Sequence, residues 1–107
     1  KKGLPWEKAK AWDNSAVAGN WILLSDEMLN NPIHFSLNKN GEQVQLGDTR
    51  DMIFSFDHIV SHISQYFSLN IGDMIYTGTP AGVGECVSGD VLTGYLETKK
   101  MFELEIK

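Results

Sequence analysis

Several groupings of residues in this sequence could do chemistry. Glu103 and Glu105 stand two apart in an alternating segment, so an extended chain would present both carboxylates on one face. That pair chelates Mg2+ or Mn2+ when a third acid joins it. His58 and His62 stand four apart in a helical pattern and would share one flank. Cys86 is the single thiol. The last grouping is the stretch Gly72-Asp-Met-Ile-Tyr-Thr-Gly-Thr-Pro-Ala-Gly-Val-Gly84, an apolar segment running into Gly, Thr and Pro. Its backbone amides can approach a ligand closely, with the hydroxyls of Thr77 and Thr79 beside them. Anionic oxygens suit such a surface.

Each grouping has a plainer reading. The acidic pair is also the solvent side of a terminal strand that buries Phe102, Leu104 and Ile106, and nothing marks a third ligand. Ile59 stands where the zinc motif H-E-x-x-H needs Glu, so the histidines form no recognisable zinc site. Cys86 can form no intramolecular disulfide and fits a reducing compartment. The glycine loop lacks the Lys-Ser/Thr of a phosphate loop, and Gly82-Val83-Gly84 continues as Glu85-Cys86-Val87, so G-x-G-x-x-G fails too. What remains is a binding loop for something other than a nucleotide, or a tight turn between strands.

The elements that must position these groups can be read from periodicity. Pro5 and Gly19 punctuate a non-periodic opening anchored by Trp6 and Trp12, in which Lys8 and Lys10 would share a face if extended. One helical turn is expected at Asp26 to Leu29. Ile33, Phe35 and Leu37 alternate with His34, Ser36 and Asn38, and Asn40-Gly41 is a turn pair. A hairpin is therefore expected, with Val44 and Leu46 on its return strand and His34 exposed. Ser55 to Phe67 reads as the one packed helix, its apolar arc formed by Phe56, Ile59, Val60, Ile63, Tyr66 and Phe67. Strands are expected at Met74 to Tyr76, Val91 to Glu97 and Met101 to Ile106, giving an α+β, β-rich fold of about six strands.

With 107 residues and 42% hydrophobic content the chain has room for one modest core. A net charge of −5 without a Lys/Arg cluster argues against nucleic acid or an anionic membrane, leaving small molecules or proteins as partners. No apolar run approaches a bilayer span and no signal-peptide core succeeds Lys1-Lys2-Gly3, so the expected location is the cytoplasm. An opening Lys, with no element near it able to pair with the downstream strands, suggests part of a longer chain.

Three blocks carry a resemblance. Gly3-Leu-Pro-Trp-Glu-Lys-Ala-Lys-Ala-Trp-Asp-Asn-Ser15, Asn40-Gly-Glu-Gln-Val-Gln45 with Asp51-Met-Ile-Phe54, and the Gly72–Gly84 stretch together resemble the C-terminal half of the fumarylacetoacetate hydrolase family. The first block is similar to the small bacterial acylpyruvate hydrolase-like members. The resemblance implies a β-roll-type catalytic domain, usually homodimeric, that binds Mg2+ or Mn2+ and acts on 2-oxo acids bearing a second carbonyl. It also implies that the metal ligands, a Glu-x-Glu pair and an Asp, precede the first block. None of them is then expected among residues 1–107, and Glu103-x-Glu105 sits at the wrong end to replace them.

Carried over residue by residue, the resemblance makes Lys10 the catalytic lysine. It places Asn14 near metal and substrate, makes Thr79 a substrate contact with the amides around Gly78, and leaves Asp13 structural or direct. Ala16-Val17-Ala18 departs from the family pattern. The ammonium of Lys10 would stabilise enolate charge left by C–C cleavage, a contribution on the order of 10²–10³ in rate. The implied activity is hydrolysis of an acylpyruvate or fumarylpyruvate. Oxaloacetate decarboxylation, hydroxymuconate-type isomerisation and a non-catalytic β-domain that binds a partner are the alternatives.

Overall fold

Strand pairing dominates the architecture. The structure, a computed structural model, describes residue 11 and residues 13–107. Among these, β1 (His34–Lys39), β2 (Glu42–Asp48), β3 (Val91–Leu96) and β4 (Lys99–Glu105) form one antiparallel sheet in the order β2-β1-β3-β4. Two helices accompany it, α1 (Asp26–Asn30) and α2 (Phe56–Ser64), with a 3-10 turn at Thr49–Asp51. The class is α+β, as the periodicity predicts.

Local chemistry explains where the elements start and stop. Ser25 and Ser55 cap the two helices, their hydroxyls accepting from the amides of Met28 and His58 at 3.3 and 3.2 Å. The β1–β2 connection is the expected Asn40-Gly41 turn, with both residues at positive φ, 53° and 85°. Asn40 also ties this turn to the far end of the chain, since Asn40 Nδ2 donates to Asp90 Oδ1 (2.8 Å) and the Val91 amide donates to Asn40 Oδ1 (2.9 Å). Asp90 is buried and accepts from the Val87 amide as well, at 2.9 Å, with Lys39 Nζ 3.6 Å away. The Val87 amide and the Asn40 side chain hold its carboxyl below the usual range, ahead of the opposing effect of desolvation.

Cross-strand pairs share a face, so the register defines two sides of the sheet. Phe35, Leu37, Gln45, Gly47, Gly94, Leu96 and Phe102 lie on one, while His34, Ser36, Leu46, Asp48, Thr93, Tyr95 and Glu103 lie on the other. Two bulges interrupt the ladders, one leaving Val44 unpaired on β2 and one leaving Met101 unpaired on β4. Glycine permits the aromatic packing between strands. The Phe35 ring occupies the place of a Gly47 Cβ, and the Phe102 ring that of a Gly94 Cβ.

Several sequence expectations change. Val44 and Leu46 lie on the return strand as expected, but the register turns Gln45 and Gly47 toward the face of Phe35, and Leu46 is exposed. The Val44 bulge shifts the alternation, and the Phe35 ring needs a bare backbone opposite. Met74 to Tyr76 forms no strand, so four strands rather than about six are found among the described residues. Pro80 has no amide to donate, and Gly78 and Gly82 bend the chain at φ 118° and 99°, so the segment meets β2 without a ladder. Helix α2 ends at Ser64 because the amides of Gln65, Tyr66 and Phe67 turn back to His62 and Ile63, leaving Tyr66 and Phe67 outside the apolar arc and exposed. His58 stacks on Phe54 at 4.8 Å and His62 tilts against Tyr66 at 5.4 Å, so each ring has an aromatic partner.

Burial is incomplete. Ile33 is the one buried hydrophobic residue among those described, while Leu23 and Ile53 are 95% and 90% exposed. The chain exposes 9131 Å2, against roughly 6000 Å2 for a compact monomer of its 12.0 kDa mass. Its radius of gyration is 15.3 Å, where about 13 Å is usual for this length.

The glycine-under-ring packing can be tested. Gly94→Ala places a methyl where the Phe102 ring sits and is expected to destabilise by about 1–3 kcal/mol. Gly84 has nothing within 4 Å of an added Cβ, and Gly84→Ala should stay within about 0.5 kcal/mol. Urea denaturation of both variants checks the difference, and equal midpoints would refute the packing argument.

Candidate functional site

The Thr-Gly-Thr-Pro bend, residues 77–80, lies where the apolar face of the sheet, helix α2 and the 51–54 segment converge. A cavity of about 660 Å3 opens there, walled by Phe35, Gly47 and Leu96 of the sheet, Phe56 and Ile59 of α2, and Ile22, Leu24, Met52 and Phe54 from the connections. The helix therefore faces the sheet across a cavity rather than packing directly on it. A second cavity of about 410 Å3 runs along the sheet beneath the same bend, bordered by Leu37, Gln45, Gly94 and Phe102. Gly78, Thr79 and Pro80 border both.

Contacts from β2 hold the bend in place. Gln45 Nε2 donates to Thr79 Oγ1 at 3.0 Å, to the Pro80 carbonyl at 3.1 Å and, more weakly, to the Ala81 carbonyl at 3.4 Å. Gly82 approaches the neighbouring strand residue so closely that an added Cβ would overlap the Val44 carbonyl oxygen. Before the bend, the Tyr76 hydroxyl donates to the Val17 carbonyl at 2.9 Å. After it, Lys39 Nζ donates to the Glu85 carbonyl at 3.0 Å.

The large cavity is mainly apolar, with Asp48, Asp51, Thr49, Thr77 and Thr79 as its polar points. Thr49 Oγ1 is committed to the Ile33 amide at 3.0 Å. Asp48 accepts from the Arg50 amide (2.8 Å) and from Arg50 Nη2 (2.6 Å), and lies 3.1 Å from His34 Nε2. The hydrogen bonds from Arg50 hold the Asp48 carboxyl down to about 2, and Arg50 is raised in return. Asp48 is thus a fixed anion at neutral pH and no proton carrier.

The fold separates the candidates named from sequence. Thr79 and Gly78 form the bend. Asp13 and Asn14 occupy an exposed turn, Asn14 at φ 61°, and neither borders the two cavities. Lys10 lies outside the described residues. Glu103 and Glu105 are exposed on β4, Glu103 accepting from Lys100 Nζ at 3.2 Å, and Cys86 is exposed. Among the described residues no three of His, Cys, Asp and Glu converge as a metal ion requires, so these residues alone do not fit a divalent cation. No helix among them is long and apolar enough to cross a membrane. Sequence reasoning missed Gln45. Its place three residues past the Glu of the Asn-Gly-Glu block was visible, but its contact with a loop more than thirty positions away was not.

The family model described as the fumarylacetoacetate (FAA) hydrolase C-terminal region matches residues 1–107. Oxaloacetate tautomerase YcgM of Escherichia coli is 46% identical over 95 residues, covering 87% of this chain and 43% of that protein. The crystal structure of a fumarylacetoacetate hydrolase family protein from Yersinia pestis CO92 superposes with a TM-score of 0.86 at 41% identity, covering 98% of this chain and 49% of that one. A fumarylpyruvate hydrolase from Pseudomonas aeruginosa, solved with Mn2+ and pyruvate, superposes with a TM-score of 0.61 at 34% identity, over 71% of this chain and 32% of that one. The chain spans about half the length, or less, of these relatives.

The Asp48 contacts generate a pH prediction. A carboxyl depressed from 3.8 to about 2 adds stability above its unfolded value and loses it as pH falls from about 4 toward 2. Asp48→Asn should flatten the stability-against-pH curve across that window, as measured by acid unfolding, and an unchanged slope would show the contacts with Arg50 to be without thermodynamic weight.

Proposed function

Since the chain belongs to the fumarylacetoacetate hydrolase family, we propose that it is the C-terminal portion of a catalytic domain that hydrolyses a C–C bond in acylpyruvate or fumarylpyruvate-type 2-oxo acids. The observation that carries this reading is the bend at residues 77–80. It presents a threonine hydroxyl at the mouth of a mainly apolar cavity, which suits a ligand with an oxyanionic head and an acyl tail. The exposed apolar surface and the half-length match to the relatives both support a domain completed by further chain.

In this reading Thr79 and the amides around Gly78 hold the carboxylate or the second carbonyl, and Lys10 holds the oxygen on which charge develops. By resemblance alone Asn14 is assigned near metal and substrate, and Asp13 a structural or direct role. A divalent cation, Mg2+ or Mn2+, is proposed on the strength of the Mn2+-bearing relative, supplied by acidic residues outside this chain. It would polarise the 2-oxo acid. The assembled protein is proposed to be a homodimer acting on a small molecule in the cytoplasm.

A second reading is favoured by the 46% identity to an oxaloacetate tautomerase, namely keto–enol conversion of oxaloacetate. It needs the same oxyanion contacts and no acyl tail. A panel of acylpyruvates and oxaloacetate, offered with Mg2+ to the intact natural protein, separates the two. Lys10→Ala should lower kcat by on the order of 10²–10³, and Thr79→Val should raise KM about tenfold. Full activity of Lys10→Ala would remove Lys10 from the chemistry, and inertness of the natural protein toward the whole panel would remove the reading.

A further inference from the structure

We infer that Gln45 is a positioning residue that fixes the Thr79 hydroxyl as a hydrogen-bond donor, so that the bend selects ligands presenting an acceptor oxygen. The inference rests on the reading of that bend as the ligand-binding edge. The three atoms facing the Gln45 amide determine its orientation. The carbonyls of Pro80 and Ala81 can only accept, so the group turned toward them is the NH2 and not the amide oxygen. An amide nitrogen accepts nothing, so at 3.0 Å the Thr79 hydroxyl must be the acceptor. Its own proton is then free to point elsewhere. Gln45 borders only the smaller cavity, whereas Thr79 borders both, so one side of the hydroxyl is taken by β2 and the other faces open space.

The backbone provides this arrangement. The bulge at Val44 lets Gln45 rather than Val44 pair with Leu37 on the face under the bend. Beside it the Val44 carbonyl receives the bare Gly82. The bend is thus held by two adjacent residues of one bulge, and its threonine is presented with a set polarity. A carboxylate or ketone oxygen matches that polarity. A ligand hydroxyl or ammonium that needs an acceptor at this point does not.

The test compares Gln45→Met, which keeps the length and removes the donor, with Gln45→Glu, an acceptor when ionised and a donor when protonated. Backbone 15N relaxation of the intact natural protein, without ligand, reads the order of Gly78, Thr79, Ala81 and Gly82. The natural protein should show order parameters of about 0.85 at pH 7 and pH 4, and Gln45→Met values below about 0.6 at both. Gln45→Glu should be disordered at pH 7 and recover toward the natural value at pH 4, where its carboxyl is largely protonated, with the sheet amides unchanged throughout. A role in space-filling alone would leave Gln45→Glu ordered and indifferent to pH, and that result overturns the inference. Calorimetric titration with oxalate and Mg2+ supplies the second arm. Gln45→Met and Thr79→Val should each weaken binding about tenfold, and the double variant no more than either. Additive losses would overturn the donor assignment. Failure of the natural protein to bind oxalate would overturn the functional reading, and the relaxation measurement would still decide the anchoring.

Discussion

The amide of Gln45, donating to Thr79 and to the carbonyls beyond it, is the contact on which the candidate site depends. The long connection between α2 and β3 has no ladder or helix of its own to hold it. A connection of that length without regular structure is uncommon unless it serves a purpose. Its conformation is set by a few points of attachment. Tyr76 reaches Val17, Gln45 and Val44 grip the bend, Lys39 reaches Glu85, and Asp90 closes the far end against Asn40. The attachment at Gln45 is the one that orients a group able to touch a ligand.

Both sheet edges carry a bulge at which a connection docks. On β2 Gly82 packs against the Val44 carbonyl oxygen with no room for a Cβ, and on β4 the Met101 carbonyl accepts from the Asn20 amide at 2.8 Å. Gly19 sits so close to that second bulge that an added Cβ would lie 2.9 Å from the Met101 oxygen. Each bulge breaks the ladder, and the connection docked there covers an edge that could otherwise pair with another strand.

The sequence made the local features legible, and those that depend on distant contacts were not. Asn40-Gly41, the two helical segments, and the alternations of β1 and β4 are short-range chemistry and appear where periodicity places them. The β2 register is not legible in the sequence, because a bulge leaves no mark in a hydrophobic pattern and a Gly facing a ring looks like a loop residue. Met74 to Tyr76 has the composition of a strand, but Gly78, Pro80 and Gly82 bend the chain so that it meets β2 without a ladder. The Thr-Gly-Thr-Pro bend was recognisable as a binding loop from its residues. Its partner Gln45 was not, since nothing local to Asn40–Gln45 announces a loop more than thirty residues later. Lys10, the other principal candidate, rests on resemblance alone.

The most direct measurement is a crystal structure of the intact natural protein with oxalate and Mg2+. The account predicts a ligand oxygen within about 3 Å of Thr79 Oγ1, with Gln45 Nε2 still donating to that hydroxyl from the opposite side. A ligand bound away from the bend, with the Thr79 hydroxyl turned to solvent and Gln45 released from it, would contradict the account.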